Sequence, residues 1–434
     1  MKHTDDISSD LKREIGVSAF SMSVVNASIG AGMFALPAII GIQLGGFGIF
    51  CYIFCGLLLA VIMLCYAEAG TRITTTGGSY AYVEAAFGPL PGYIINWLFF
   101  FGWGILSDAA ILNVLADTLA IYNPAFHDGF LRALLFFGLL ATMAIINIFG
   151  VKHGARIVQI MTIMKLIPLA VIILFGVPLI NGDNLVWEQI PTLKTFSDSA
   201  LVLFFAFAGF ETTLNVSGEV KEPHKVIPRG LLIGGLTAII FIMLIQIVVQ
   251  GVIGAEIVQF KDAPVAAVAQ RIFGPSGMLL VIFATVMSCS GIVTGDVLAS
   301  PRLLYAGALD GLFPKFLSKI HAKHSTPFWA ILVYSCLIFI FSVSGGFKQL
   351  AVMASTAILI IYLSVILSVI RLRRKQNDNS SPVFTVPGGL LIPILGIGVI
   401  LWLLTSLSRF EMLFTISFIA IVCLLYYGQK KIQK

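Results

Sequence analysis

Charged residues are scarce in this chain of 434 amino acids. Asp, Glu, Lys and Arg make up only 11% of it, whereas hydrophobic residues make up 58%. Soluble domains carry about 25% charged residues, so this composition excludes an ordinary globular protein. Apolar runs of about 20 residues, the length that crosses a bilayer, recur from one end of the chain to the other. The sequence therefore predicts an all-α integral membrane protein.

Motifs of soluble enzymes are also missing. The sequence has no Walker phosphate loop, no GxSxG and no HExxH, so neither ATP hydrolysis nor a known hydrolase site is indicated. The six histidines lie in or beside predicted loops, and the six cysteines lie within apolar runs without the spacing of a disulfide framework or a zinc site. We expect no enzyme activity, no cofactor and no metal site.

Twelve membrane spans are predicted, with both termini in the cytoplasm and the cell membrane as the location. In this arrangement 20 Lys and Arg residues lie on the inner side and six on the outer side, while Lys165 lies inside the fifth span. That bias is the positive-inside pattern; it accounts for the net charge of +6 without a nucleic-acid partner. The cluster "RLRRK" (371–375) is interpreted as a topology anchor. The spans cover residues 15–41, 45–67, 92–121, 130–150, 157–180, 198–218, 229–253, 277–305, 327–345, 348–370, 388–407 and 410–428.

Two of these spans are interrupted by small and polar residues at corresponding places. The first contains "NASIGAG" (26–32) and the sixth contains "FAFAGFETT" (205–213). Because the two spans are five helices apart, matching copies would have opposite orientations in the membrane. Paired breaks of this kind indicate an inverted-repeat transporter with its site near the midplane.

A broken helix in a membrane exposes backbone groups that suit a zwitterion. The half-helix that begins at a break presents free N–H groups to a carboxylate, and the half-helix that ends there presents carbonyls to an ammonium. Two facing breaks therefore suit an α-amino acid. The alternative is that the glycines only let helices pack closely. The predicted substrate-binding residues of the breaks are Ser28, Gly30, Ala31, Gly32, Phe205, Ala206 and Ala208.

Four blocks of sequence resemble one known family. They are "LKREIGVSAFSMSVVNASIGAGMFALP", "TTTGGSYAYVEAAFGPLPGYIINW" (74–97), "FAFAGFE…SGEVKEPHKVIPRG" (205–230) and "PRLLYAGALDGLFPKFLSKIHAKHSTP" (301–327). Together they are similar to the amino acid permeases of the amino acid–polyamine–organocation superfamily. The resemblance implies one transmembrane domain over residues 1–434, with a first repeat at 15–180, a second at 198–370 and two further helices at 388–428. It implies a 5+5 inverted repeat with helices 1 and 6 broken, and alternating access.

Ionisable residues at membrane depth are functional candidates because they are expensive to place there. The resemblance implies that Lys165 takes the place of a sodium ion as a proton carrier or fixed charge; a snorkelling lysine is the alternative. It implies that Phe205 is a gate over the substrate, and that Glu211 has a structural, gating or coupling role. Asp296 falls where relatives carry a residue that faces the substrate side chain, and Ser107 falls among positions that line the pocket.

The roles of the acids in the third and eighth spans stay open. Asp108 and Asp296 could receive a cationic or polar side chain, pair with Lys165, or share a proton. Asp117, near the outer end of the third span, is expected to be solvated.

These features predict a secondary active amino acid transporter that is proton-coupled or an exchanger. A polyamine or organic-cation carrier and an uncoupled antiporter on the same fold are the alternatives. A channel is disfavoured because the intramembrane charges gather at one depth. The expected partners are an amino acid, protons and the lipid bilayer, and the chain is a monomer or a homodimer.

Overall fold

The computed structural model describes residue 13 and residues 15–75, 77–149, 151–187, 189–261, 263–309, 313–321, 326–375 and 383–432. Sixteen α-helices run through these ranges, joined by 3₁₀ segments and one π-helical segment. In chain order they are α1 (Val17–Ser28), α2 (Gly32–Leu44), α3 (Gly48–Arg72), α4 (Gly78–Phe87), α5 (Pro89–Trp97), α6 (Leu106–Tyr122), α7 (Gly129–Ile148), α8 (Val151–Gly176), α9 (Leu193–Leu203), α10 (Pro223–Ile253), α11 (Pro264–Phe273), α12 (Pro275–Leu309), α13 (Phe328–Ser344), α14 (Phe347–Lys375), α15 (Leu391–Leu404) and α16 (Arg409–Ile432).

The described helices fit a multi-pass membrane protein. Seven continuous helical stretches are long and apolar enough to cross a bilayer, and three more helices are apolar but shorter. The count of twelve spans and the repeat architecture stay predictions. Between the predicted second and third spans, where the sequence predicts a polar loop, the structure has helix α4. Helix α11 lies between the predicted seventh and eighth spans, in an outer loop that the sequence allows to hold a short helix.

Three sets of helix contacts hold the bundle together. The long helix α10 packs along α1 and α3, α8 packs along α12, and α14 packs against α4 and α6. Small residues allow these close approaches. A Cβ atom on Gly291 of α12, for example, would lie 2.9 Å from the Cβ of Met161 on α8.

A crevice of about 590 Å³ lies between α1, α8 and α10. Its walls are mostly apolar, with Met22 and Phe241 among them. None of the predicted site residues lines it, so it is separate from the predicted site.

An ion-pair network around Glu68 ties α3 to α14 and to the segment before α15. The Glu68 carboxylate is fully buried and accepts bonds from Arg373 Nε at 2.7 Å and Nη2 at 2.5 Å. It also pairs with Arg72 at 2.9 Å and accepts the backbone N–H of Val386 at 2.9 Å. Arg373 belongs to the cluster interpreted above as a topology anchor. That interpretation is incomplete, because this arginine is part of an internal bidentate ion pair.

Replacing Glu68 by alanine is expected to destabilise the protein by about 3 kcal/mol or more, because Arg373 loses its partner in a partly buried site. The measurement is thermal unfolding of the purified protein in detergent. Asp198→Ala is the matched control, since the Asp198–Lys194 pair is exposed and removing it should change stability by less than about 1 kcal/mol. Equal effects of the two variants would contradict the assigned role of Glu68.

Candidate functional site

The first break separates α1 from α2 between Ser28 and Gly32. The last residues of α1 end in free carbonyl groups, and the first turn of α2 leaves N–H groups without intrahelical acceptors. Ser28 and Ala31 are both buried, with 1% of their surface exposed. The Ser28 hydroxyl has no hydrogen-bond partner among the described residues, so it is available to a ligand.

The second break lies between α9 and a 3₁₀ segment that runs from Phe210 to Glu219. A short 3₁₀ turn covers Phe204–Ala206, and the backbone at Gly209 has φ +121°. Only glycine adopts that conformation without strain. Phe205, Ala206 and Ala208 are buried on this break.

The two breaks touch each other backbone to backbone. A Cβ atom on Gly32 would lie 2.9 Å from Ala206 Cα, and one on Gly209 would overlap the carbonyl oxygen of Ala27. Gly30 lies against Ile292 of α12, where a Cβ atom would be 3.4 Å from Cδ1. The structure thus brings the residues predicted for the two breaks together. Gly32 and Ala206, which are in contact, lie 174 positions apart in the sequence.

Lys165 of α8 reaches the first break from the side. Its ammonium donates to the carbonyl oxygens of Asn26 at 2.9 Å and Ile29 at 2.8 Å, and only 1% of the residue is exposed. A positive charge at the C-terminal end of a helix is favourable. The lysine therefore satisfies two carbonyl groups that the end of α1 leaves free. It is not a snorkelling lysine in this structure, because its head group points into the bundle and bonds there.

Glu211 stabilises the second break through two hydrogen bonds of its carboxylate. Its Oε2 accepts the backbone N–H of Gly209 at 3.0 Å and the hydroxyl of Tyr362, on α14, at 2.5 Å. The residue is fully buried, and Oε1 has no partner within the described part of the chain. The carboxylate therefore fixes the backbone at Gly209 and connects the break to α14.

Phe205 packs between two other aromatic rings. Its ring centroid lies 5.9 Å from Trp103 and 5.7 Å from Phe347, and 5% of the residue is exposed. Its role as a gate stays a prediction. Trp103 was missed by the sequence analysis because a tryptophan in an apolar run is typical of ordinary core packing.

The third span departs from a regular helix next to this aromatic group. Residues Leu98–Ile105 form a π-helical segment between α5 and α6, where the sequence predicts one helix over 92–121. Such segments are frequent at functional sites. Ser107, which is 7% exposed, follows the end of this segment by two residues.

Asp108 and Asp296 meet on the side of the site formed by α6, α12 and α13. Asp108 is fully buried, and its Oδ2 accepts the hydroxyl of Tyr334 at 2.9 Å. The carboxyl group of Asp296 lies within hydrogen-bonding reach of Asp108. Neither acid pairs with Lys165, whose bonds go to backbone carbonyls. Sequence analysis missed Tyr334, because its partner lies 226 residues away.

Asp117 lies in an ion pair, whereas the sequence predicts a solvated acid. It forms an ion pair of 2.6 Å with Arg132 on α7, and the same guanidinium donates to Asn113 Oδ1 at 2.6 Å.

Within the described ranges, no group of three His, Cys, Asp or Glu side chains could hold a metal ion.

Comparison with known proteins identifies the family. The model of the family described as "Amino acid permease" matches residues 15–432. The chain belongs to the amino acid permease family. Its relatives are transporters, and they align with this permease over most of its length.

Three relatives show the range of that similarity. The serine/threonine exchanger SteT of Bacillus subtilis (strain 168) is 29% identical over 91% of this chain and 90% of its own. The b(0,+)-type amino acid transporter 1 of Mus musculus is 26% identical over 96% of this chain and 88% of its own. The human cystine/glutamate transporter is 30% identical over 89% of this chain and 78% of its own.

Proposed function

We propose that this permease is a secondary active transporter that carries amino acids by alternating access. The observation that carries the proposal is the contact between two broken helices, with Lys165 bonded to the end of the first. The names of the relatives support an amino acid as the substrate class, since they include a serine/threonine exchanger and a cystine/glutamate transporter.

The substrate's α-carboxylate would meet the N–H groups at Ala31 and Gly32, where α2 begins. Its ammonium would meet carbonyls around Ser28 and the second break. Lys165 already bonds the carbonyls of Asn26 and Ile29, which leaves the substrate ammonium the neighbouring ones. The Ser28 hydroxyl has no partner among the described residues and is free to contribute a bond.

Proton coupling or exchange is proposed for the energy source, with Lys165 as the coupling residue. An ammonium that occupies the end of the first half-helix fills the place that a sodium ion would need. The proposal extends to twelve spans, 5+5 inverted repeats, a cell-membrane location with cytoplasmic termini, and a monomer or homodimer. An uncoupled antiporter remains an alternative.

The test is uptake of radiolabelled amino acids by liposomes that contain the purified protein, with protein-free liposomes as the control. Uptake without ATP is expected, and acidifying the outside should stimulate net uptake. Stimulation by a sodium gradient with no response to a pH gradient would contradict the coupling mechanism. Absence of uptake and of exchange for all 20 amino acids would contradict the proposed function.

A second candidate function is a carrier of polyamines or other organic cations on the same fold. The adjacent carboxyl groups of Asp108 and Asp296 favour it. Competition by putrescine and spermidine for the labelled amino acid would distinguish it from the first.

A further inference from the structure

The carboxyl groups of Asp108 and Asp296 lie close enough to interact, one on α6 and the other on α12. Asp108, on α6, is fully buried; Tyr334 donates to its Oδ2, but its Oδ1 finds no donor among the described residues. Asp296, on α12, is partly exposed, so it is the member of the pair that a ligand can reach. Two ionised carboxylates can only accept hydrogen bonds, so they cannot bond each other as they stand.

Cationic side chains on the surrounding helices do not neutralise the pair. Those with a described partner bond elsewhere: Lys165 to backbone carbonyls of α1, Arg132 of α7 to Asp117, and Arg271 of α11 to Glu256. Arg302, six residues after Asp296 on α12, is partly buried, and none of the described ion pairs joins it to either acid. Lys348 of α14 is exposed to the surroundings. The described cationic side chains therefore do not balance the negative charge of the pair.

The uncharged and acidic groups that face the pair add no positive charge. Tyr334 of α13 bonds Asp108 and also contacts Ser300. Glu211 of the second break lies close enough to interact electrostatically with Asp296, and Tyr362 of α14 bonds Glu211. Among the described side chains, the partners of Asp108 and Glu211 are tyrosine hydroxyls and a backbone N–H, and no described ion pair joins these two acids or Asp296 to a cation. Like charges at such short range in a buried site are relieved by binding a proton or a cation.

We propose that the Asp108–Asp296 pair is a cation-exchange site, which holds one shared proton and releases it when the cationic side chain of a substrate enters. The inference rests on the proposed function, because the same substrate would place its α-carboxylate and α-ammonium at the helix breaks. The ligand class is an amino acid with a side-chain ammonium or guanidinium. Binding forms an ion pair with both carboxylates, and one proton leaves to solution for each cation bound.

A neutral amino acid would leave the proton in place. It occupies the helix breaks without presenting a charge to the pair, so its binding releases no proton. The pair therefore makes the affinity for cationic substrates rise with pH, by up to tenfold for each pH unit over the range where the shared proton is bound. Affinity for neutral substrates does not follow that slope.

The test measures proton release in detergent solution with little buffer and a pH-indicator dye. L-lysine or L-serine is added to the purified full-length protein, and binding is followed in parallel with radiolabelled ligand. Release of about one proton per lysine bound, and of none per serine bound, is expected. Asp296→Asn should lower lysine affinity at least about tenfold more than serine affinity and remove the proton release.

Two further variants control for folding and for a general charge effect. Asp108→Asn changes the buried member without altering its size, and it should remove the proton release in the same way. Asp117→Asn removes an acid from the same helix outside the pair, so the proton count per lysine should stay at its wild-type value. Equal proton release by Asp296→Asn and the wild type would overturn the proposal.

The outcomes separate this inference from the proposed function. If serine or another neutral amino acid is bound and transported but lysine is not bound, the cation-exchange site is wrong and the transporter function stands. Lysine binding without proton release also overturns the site alone. If no amino acid binds, the proposed function fails and the site fails with it.

Discussion

Replacing Lys165 by methionine is expected to reduce amino acid uptake at least about 30-fold. Methionine is unbranched and only one heavy atom shorter than lysine, but it lacks the ammonium that donates to the carbonyls of Asn26 and Ile29. A buried acceptor left without a donor costs about 1–3 kcal/mol, so the arrangement at the first break loses about 2–6 kcal/mol. Since each 1.4 kcal/mol is about tenfold in an equilibrium, the population that can bind and occlude the substrate falls steeply.

The measurement is the initial rate of uptake in proteoliposomes that hold equal amounts of folded protein. Lys194→Met is the matched control: this lysine lies in an exposed pair with Asp198, with 78% of its side chain accessible, and its loss should leave uptake within about twofold of the wild type. Uptake by Lys165→Met at the rate of the control would show that the bonds to α1 do not support transport.

A second measurement separates a coupling role from a structural one. If Lys165 carries the proton, the variant should retain some exchange of substrate across the membrane while losing the response of net uptake to a pH gradient. If the lysine only supports the break, exchange and net uptake should fall together. The ratio of exchange to net uptake therefore reports what the ammonium does beyond stabilising the end of α1.

The positions of the helix breaks could be predicted because their signal is local. Glycines and short polar residues interrupt an apolar run within a few positions, as in the stretch 26–32, and a buried ammonium such as that of Lys165 is conspicuous in a span. What these residues bond could not be predicted. The partners of Lys165 are backbone carbonyls 136 and 139 residues away, and every residue carries the same carbonyl, so no residue type marks them.

Hydrogen-bond and ion-pair partners could not be predicted where they lie far away in the sequence. Tyr334 is one of many aromatic residues in apolar runs, and only the packing of α13 on α6 makes it a donor to Asp108. Glu68 lies one residue beyond the predicted end of the second span, so the sequence places it in the following loop. The structure continues that helix to Arg72 and places Arg373, 305 residues further along, against the Glu68 carboxylate.

Replacing Gly209 by alanine is expected to destabilise the protein by about 2–6 kcal/mol. Transport should fall with the fraction of molecules in which the second break keeps its conformation. Two costs add. The backbone has φ +121°, a conformation that costs a residue with a Cβ atom about 1–3 kcal/mol. The new methyl group would also overlap the carbonyl oxygen of Ala27, and overpacking of this kind costs about 1–3 kcal/mol.

Gly138→Ala provides the matched control for Gly209→Ala. Gly138 lies within α7, and a Cβ atom there would meet nothing within 4 Å, so alanine should be neutral or stabilise the helix by up to about 1 kcal/mol. Thermal unfolding in detergent and uptake in proteoliposomes would be measured for both variants. The position of Gly209 also separates two explanations of the break. If the glycines served only as spacers between helices, a variant that still folds should transport at the wild-type rate.

The proposed function predicts a different result, because Gly209 donates its N–H to Glu211. An alanine that turns this peptide away leaves the carboxylate without one of its two described donors and moves the carbonyls that would face the substrate ammonium. Substrate affinity should then fall even in the fraction of protein that stays folded. Unaltered affinity in Gly209→Ala, measured per folded molecule, would contradict the assignment of the second break to the substrate site.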